Sequence, residues 1–269
     1  MRSNKIRLTF IACFILAIFP PISFARHKVT CRSVIFSDST KVKRLYGKNV
    51  HDHVLPASTA KVMTALVVLE RLKLDDYVTV SSGATKVQPT KVNLETGEQY
   101  KVRDLLYAAL IKSANDASVV LAEAVAGSHW KFVQLMNEKA KEIGANSTKF
   151  SNSNGLPSKA TQYTTAYDMY MIFRAALRYD FFRKAIKLKY KTITSRAGRQ
   201  IKLKSHNKIL FNDWKKKIYG KTGYTRAAGA CFVGTIQKGG STLIIGAFGC
   251  PNRWEDIKHI VSYYGGISL

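Results

Sequence analysis

Ser58 and Lys61 stand three residues apart, and on a helix that spacing puts both side chains on one face with Cβ atoms about 5–6 Å apart. A serine hydroxyl is a poor nucleophile at neutral pH and needs a base beside it. Lysine serves as that base when it is neutral, and burial, a second cation and the positive end of a helix all lower a lysine pKa. Lys221, in Lys221-Thr222-Gly223, is the candidate second cation. Between them in the chain lies Ser113-Ala114-Asn115. Asn115 could hold a substrate amide and the lysine head group, while Ser113 relays a proton to a leaving amine. Backbone N–H groups of Ser58 and Tyr224, the residue after Lys-Thr-Gly, are candidates for an oxyanion hole. The three words together describe a serine acyl-transfer site.

Each word alone is weak. Ser-x-x-Lys recurs at Ser128 to Lys131 and at Ser205 to Lys208, and Ser-x-Asn recurs at Ser205 to Asn207. Only Ser58 precedes a long apolar helical pattern, and Lys-Thr-Gly occurs once. Order and helix context therefore carry the weight. A phosphate-binding loop ending in Gly220-Lys221-Thr222 fails, because Lys215 stands where its first glycine is required. His51 and His53 straddle Asp52 in a loop, and His27, His129, His206 and His259 are scattered. No metal and no cofactor is implied.

The elements that must position these words read as α+β. Residues 30–37 alternate as a strand, with residues 43–48 as a hairpin partner. From Lys61, apolar residues Val62, Ala65, Leu66, Leu69 and Leu72 recur at helical spacing, which puts Ser58 in the first turn of a helix of about four turns. Residues 102–188 read as mostly helical, with Gly127 closing one helix and Gly144 another. Ser113 to Asp116 interrupts two of these helices as a polar turn. Strands are expected at residues 189–194, 218–221, 229–237 and 242–249, and a last amphipathic helix uses Trp254, Ile257, Ile260, Val261 and Tyr264. The pattern implies a sheet built from both chain ends around a helical insert, with the Ser58 helix between the two lobes.

The first 25 residues read as a secretory signal: Arg2, Lys5 and Arg7, an apolar run from Leu8 to Phe19 broken only by Thr9, and small residues at Ser23 and Ala25. The run is too short to span a membrane comfortably, and Pro20-Pro21 stops any helix there. Residues 26–269 read as one continuous globular unit. The chain has 43 Lys plus Arg against 17 Asp plus Glu, a net charge of +26, and loss of Arg2, Lys5 and Arg7 leaves about +23. Such charge suits an anionic polymer or membrane surface. Export argues against nucleic acid and for anionic wall polymers or lipid head groups. Cys31, Cys231 and Cys250 survive processing, an odd number. A hairpin turning at Gly239-Gly240 would bring Cys231 near Cys250, so a bridge between them is open, but Cys231 better suits a buried apolar site.

The stretches Pro56-Ala57-Ser58-Thr59-Ala60-Lys61-Val62-Met63-Thr64-Ala65, Ser113-Ala114-Asn115-Asp116-Ala117, Asn154-Gly155-Leu156-Pro157 and Lys221-Thr222-Gly223-Tyr224-Thr225 resemble the low-molecular-mass penicillin-binding proteins that act as D-alanyl-D-alanine carboxypeptidases. The similarity runs from about residue 31 to 265. It implies the serine β-lactamase/DD-peptidase fold and the trimming of terminal D-alanine from peptidoglycan stem peptides through an acyl-serine intermediate, with β-lactams as covalent inhibitors. Ser58 is then the nucleophile, Lys61 the general base, Ser113 and Asn115 the second motif, and Lys221, Thr222 and Gly223 the third. An arginine after the last strand binds the substrate's terminal carboxylate in such proteins, and Arg253 is the matching residue here. The resemblance implies an exported enzyme, in the periplasm or on the outer face of the cytoplasmic membrane.

Two departures stand out. Many relatives continue into a small β-rich domain and an amphipathic anchor, which this chain is expected to lack, with basic charge as a substitute. Gln162 stands where a histidine is common, with little expected effect on chemistry. Action on cross-links as an endopeptidase remains open, since both reactions cut after a D-alanine. A class A β-lactamase needs a deacylating glutamate, and no Glu-x-x-Leu-Asn run occurs. A non-catalytic wall-binding module would explain the charge but leave the three motifs as coincidence.

Overall fold

The computed structural model describes residues 28–269, so the expected signal over residues 1–25 lies outside the described residues. Strand β1 (Ser33–Asp38) is buried at every position, as a strand covered on both faces and both edges must be. β2 (Lys43–Lys48) pairs with one edge of it and β9 (Ser241–Phe248) with the other. Beyond β9 come β8 (Gly229–Lys238) and β7 (Tyr219–Thr225), giving an antiparallel sheet in the order β2-β1-β9-β8-β7. Both chain ends thus build one sheet, as expected. β8 and β9 turn at Gly239-Gly240, with Lys238 paired to Ser241.

Alternation along the strands divides the core. Ile35, Val233, Ile244 and Phe248 face the helical lobe. Val34, Phe36, Phe232, Ile245 and Ala247 face the other way and pack with Ile257, Ile260 and Val261 of the C-terminal helix (Arg253–Tyr263). That division explains the cysteines. Cys231 belongs to the helical side and Cys250 to the opposite side, so neighbouring strands do not bring their sulfurs together. Cys250 is bridged instead to Cys31, 219 residues away, and Cys231 is buried and free.

On the helical side, α1 (Lys61–Arg71) is buried on nearly every side from Lys61 to Val68, as a helix apolar all round must be. α2 (Ser82–Thr85) and the small hairpin of β3 (Tyr77–Thr79) and β4 (Gln99–Lys101) lead to α3 (Val102–Tyr107). α3 continues as a π-helical turn over Ala108–Lys112. α4 (Asn115–Ala126), α5 (His129–Glu142), α6 (Ala166–Ala176) and α7 (Asp180–Ala185) complete the lobe. α1 packs against α4, α5 and α6, and α6 lies on the sheet, so α1 sits at the centre of the molecule. The C-terminal helix α8 covers the far face.

Three details differ from the sequence reading. Ser58 lies in a 3-10 turn, Ala57–Ala60, ahead of the α-helix. The helical stretch is interrupted between Gly144 and Thr165 by a loop fixed through side-chain bonds such as those of Asn137 to the backbone of Phe150. The strand at Tyr190–Thr194 (β5) leaves the main sheet and pairs with β6 (Gln200–Lys204). β6 was missed because its alternate residues are lysines and glutamine around only Ile201 and Leu203, too little apolar pattern to stand out.

The Cys31–Cys250 bridge closes nearly the whole described chain. Removing it by Cys31→Ala/Cys250→Ala should cost about 2–5 kcal/mol and lower the thermal midpoint by roughly 5–15 °C. Reductant should lower the wild-type midpoint similarly and leave the double variant unmoved; a wild type indifferent to reductant would contradict the bridge.

Candidate active site

The site begins at a strained turn. Ala57 has φ of 46°, in the left-handed region, where a residue with a Cβ pays on the order of 1–2 kcal/mol. Thr59 Oγ1 donates to Pro56 O at 2.5 Å and fastens the turn from within. From outside, the Asn152–Pro157 loop presses against it. Gly155 has φ of 79°, and a Cβ there would lie 1.8 Å from Ala57 O, so only glycine permits this approach. On the other flank, a Cβ at Gly223 of β7 would lie 3.1 Å from Ser58 N. The turn is held between a loop and a strand edge.

Lys61 opens α1 and is wholly buried. Its Nζ is 2.9 Å from Ser58 Oγ, 2.7 Å from Asn115 Oδ1 and 2.9 Å from Asn154 O. The last two are carbonyl oxygens and can only accept. A neutral amine spends its two protons on them, and its lone pair then points at the one partner able to donate, the Ser58 hydroxyl. Burial first, then the charge of Lys221, hold Lys61 well below the ordinary lysine value of 10.5, with Asp116 opposing.

Ser113 ends the π-helical turn with φ of 64°, so its hydroxyl leaves the helix axis at the gap before α4. Asn115, the first residue of α4, donates from Nδ2 to Gln88 O at 2.9 Å, which orients its Oδ1 toward Lys61. Its backbone N–H donates to Thr90 O at 2.7 Å. Buried Asp116 accepts from the backbone N–H groups of Val92 and Leu94, at 3.0 and 3.2 Å, and fastens the same loop. Across the gap, Lys221 Nζ donates to Ser113 Oγ and to Thr222 O, both at 2.8 Å. Burial, and then Arg253, bring Lys221 down to about 7.

All of these groups border one cavity of about 800 Å³ or lie in its wall. Ser58, Ser113, Thr222, Gly223, Tyr224 and Arg253 line it. Lys61 and Asn115 lie behind Ser58 and Ser113. Tyr224 puts its ring outside, 71% exposed. Arg253 Nη1 donates to Cys231 O and Gly223 O at 2.9 and 3.3 Å, and its guanidinium stacks 4.2 Å above the Trp254 ring. Its Nε is buried without a hydrogen-bond partner among the described residues. The structure therefore gathers all nine candidate residues. Gln162 stays apart from them: its Nε2 donates to Leu156 O at 2.6 Å, bracing the loop behind Ser58.

A family model described as D-alanyl-D-alanine carboxypeptidase matches residues 21–252. The chain belongs to that family. It is 32% identical to the D-alanyl-D-alanine carboxypeptidase DacF of Bacillus subtilis, over 94% of this chain and 68% of that protein. A D-alanyl-D-alanine endopeptidase of Pseudomonas aeruginosa is 31% identical over 85% of this chain and 75% of its own length. Among solved structures, a D-alanyl-D-alanine carboxypeptidase of Mycobacterium tuberculosis aligns with a TM-score of 0.82 and 30% identity, covering 89% of this chain and 92% of that one.

In this member of the carboxypeptidase family, residues beyond the three words also shape the site. Asn154 contributes a backbone carbonyl, which has no side-chain signature; the stretch Asn154-Gly155-Leu156-Pro157 carried the resemblance but gave no role to that carbonyl. Asp116 follows Asn115 directly but acts on a loop some 24 residues earlier. Thr90, Lys112, Lys204, His206 and Lys208 line the cavity from segments without a motif. His51 and His53, exposed in their loop, pack on Tyr167 and Tyr163.

Acylation by a β-lactam requires neutral Lys61, so its rate should rise with pH along a limb set by Lys61, below the ordinary lysine range. Lys221→Met removes the charge that depresses Lys61. Besides slowing acylation by about a hundredfold or more, it should therefore move that limb to higher pH. A stopped-flow pH profile reads this, and a limb unmoved or moved downward would refute the coupling.

Proposed function

We infer that the protein is a serine-type D-alanyl-D-alanine carboxypeptidase that binds penicillin and removes the terminal D-alanine from peptidoglycan stem peptides. The contact of Lys61 Nζ with Ser58 Oγ, aimed by two acceptor-only carbonyls, carries this reading. In the proposed sequence Ser58 Oγ attacks the carbonyl carbon of the penultimate D-alanine as its proton passes to Lys61 Nζ. Backbone N–H groups of Ser58 and Tyr224 receive the oxyanion. The C–N bond then breaks, the departing amine takes the proton from Lys61 relayed through Ser113, and the acyl group remains on Ser58 with Lys61 neutral again. Water attacks the ester carbonyl as its proton passes to Lys61 Nζ, the bond from the acyl carbon to Ser58 Oγ breaks, and Lys61 returns that proton to Ser58 Oγ as the shortened peptide leaves.

Substrate binding falls to the β7 side. The Arg253 guanidinium and the Thr222 hydroxyl, both of which line the cavity, are suited to the terminal carboxylate. Asn115 would hold the upstream amide, and Lys221 adds positive charge. Among the described residues no Asp or Glu lines the cavity, which argues against deacylation by a glutamate as in class A β-lactamases. Fluorescent penicillin should label the wild type, and Ser58→Ala should abolish labelling. Mass spectrometry should find a pentapeptide shortened by one alanine. Labelling without any turnover would reduce the protein to a penicillin binder.

An endopeptidase reading stays beside this one, motivated by the Pseudomonas relative. Release of monomers from a cross-linked muropeptide would favour it; an intact cross-link with a trimmed pentapeptide favours the carboxypeptidase.

The signal-like residues 1–25 support export, with residues 26–269 acting as one catalytic domain outside the cytoplasmic membrane. A single sheet shared by both core clusters is consistent with one unit. The net charge of +26 over the chain also supports adhesion to anionic wall polymer or membrane. The purified protein should sediment with anionic vesicles at low salt and come free at high salt; failure to sediment at low salt would remove this idea.

A further inference from the structure

We propose that this cleft selects stem peptides carrying free carboxylates upstream of D-Ala-D-Ala, through a cationic wall formed by Lys112, Lys204 and Lys208. The inference rests on the carboxypeptidase reading of the same cavity and specifies its substrate class. The three lysines line the cavity with Ser58, and among the described residues no acidic side chain does. None of them forms an ion pair among the described residues.

The backbone that carries the wall is fixed, with Lys204 and Lys208 exposed along its rim. The backbone N–H of His206 donates to Ile111 O at 3.1 Å, strapping the segment after β6 to the turn that carries Lys112. Asn207 Nδ2 donates to Ile218 O at 2.8 Å and ties the same segment to the start of β7. Lys204 Nζ lies 5.3 Å from the centroid of the Phe211 ring, which itself lines the cavity, a cation–π contact that keeps the ammonium at the wall. Lys112 is half-buried, so its charge faces the cleft through little intervening water. His206 beside them is pushed down to about 4, by burial first and then by Lys221, Lys112 and Lys61.

Charge matching then points to the ligand. A peptide ending in D-Ala-D-Ala brings one carboxylate from its terminus, and Arg253 with Lys221 can answer it. With the reacting carbonyl at Ser58 and the terminus at Arg253, the rest of the cavity is left to the upstream residues. Three cations without an ion-pair partner among the described residues are left unanswered there by a neutral peptide. Carboxylates on the upstream residues would answer them, and a concave cationic site also concentrates anionic ligands.

The test compares acetylated tripeptides X-D-Ala-D-Ala in which X is glutamate, glutamine or lysine, with fluorescent penicillin labelling measured in parallel. The expected order of kcat/KM is glutamate above glutamine above lysine. At low ionic strength the first step should be about threefold to tenfold, the range of a few partly exposed ion pairs, and it should shrink as salt is added. Lys204→Gln/Lys208→Gln should bring the glutamate-to-glutamine ratio close to one, with penicillin labelling reporting that the variant is folded. A flat series, a preference for lysine, or an unchanged ratio in a labelled double variant would overturn the cationic-wall inference alone. A wild type that penicillin does not label would overturn the carboxypeptidase reading and this inference with it.

Discussion

Everything in the site depends on keeping the amine of Lys61 buried without leaving it unsatisfied. An amine taken out of water and given no acceptor costs several kcal/mol. The chain supplies one partner locally, Ser58 one turn away, and two from distant segments, Asn115 at the start of α4 and the carbonyl of Asn154 in a loop beyond α5. Much of the fold serves that convergence. α1 must be central for the helical lobe to reach Lys61, and the sheet must lie against the Ala57–Ala60 turn for β7 to close the other side.

The same constraint accounts for features that look local. Gly155 permits the loop carbonyls to approach Ala57, and Gly223 permits the strand to approach Ser58. Neither glycine contributes a functional group. Asp116 holds the loop of residues 88–94, whose carbonyls in turn orient Asn115. His129 does similar work from the other side, since its Nε2 contacts Ser153 Oγ at 2.9 Å and accepts from the backbone N–H of Ser153 at 3.1 Å, next to Asn154. These are the supports that keep a reactive pair within hydrogen-bond distance before substrate arrives.

A second cation is tolerated nearby for a related reason. Lys221 is nearly as buried as Lys61, and its charge disfavours the charge of Lys61. Arg253 adds to the repulsion on Lys221. Such a cluster is costly in the empty protein, and its relief is an anionic ligand. Burial first, and the neighbouring positive charge second, therefore set the depressed basicity of the site.

Patterns whose meaning is carried within a few residues were legible in the chain itself. Ser58 and Lys61 announce their contact because helical spacing is local, and β1, β8 and β9 announce theirs because apolar alternation and a Gly-Gly turn are local. Lys221 and Arg253 could be named from motif and order, but nothing in their neighbourhood says that they face the same cavity as Ser58. Only the tertiary structure decided that Asn154 would present a carbonyl to Lys61, that Cys250 would bridge to Cys31 rather than approach Cys231, and that β5 would leave the main sheet for β6. Each of those outcomes is set by which surfaces meet after long-range packing. A backbone carbonyl, the face of a strand and the partner of a lysine-rich edge have no signature in residue type.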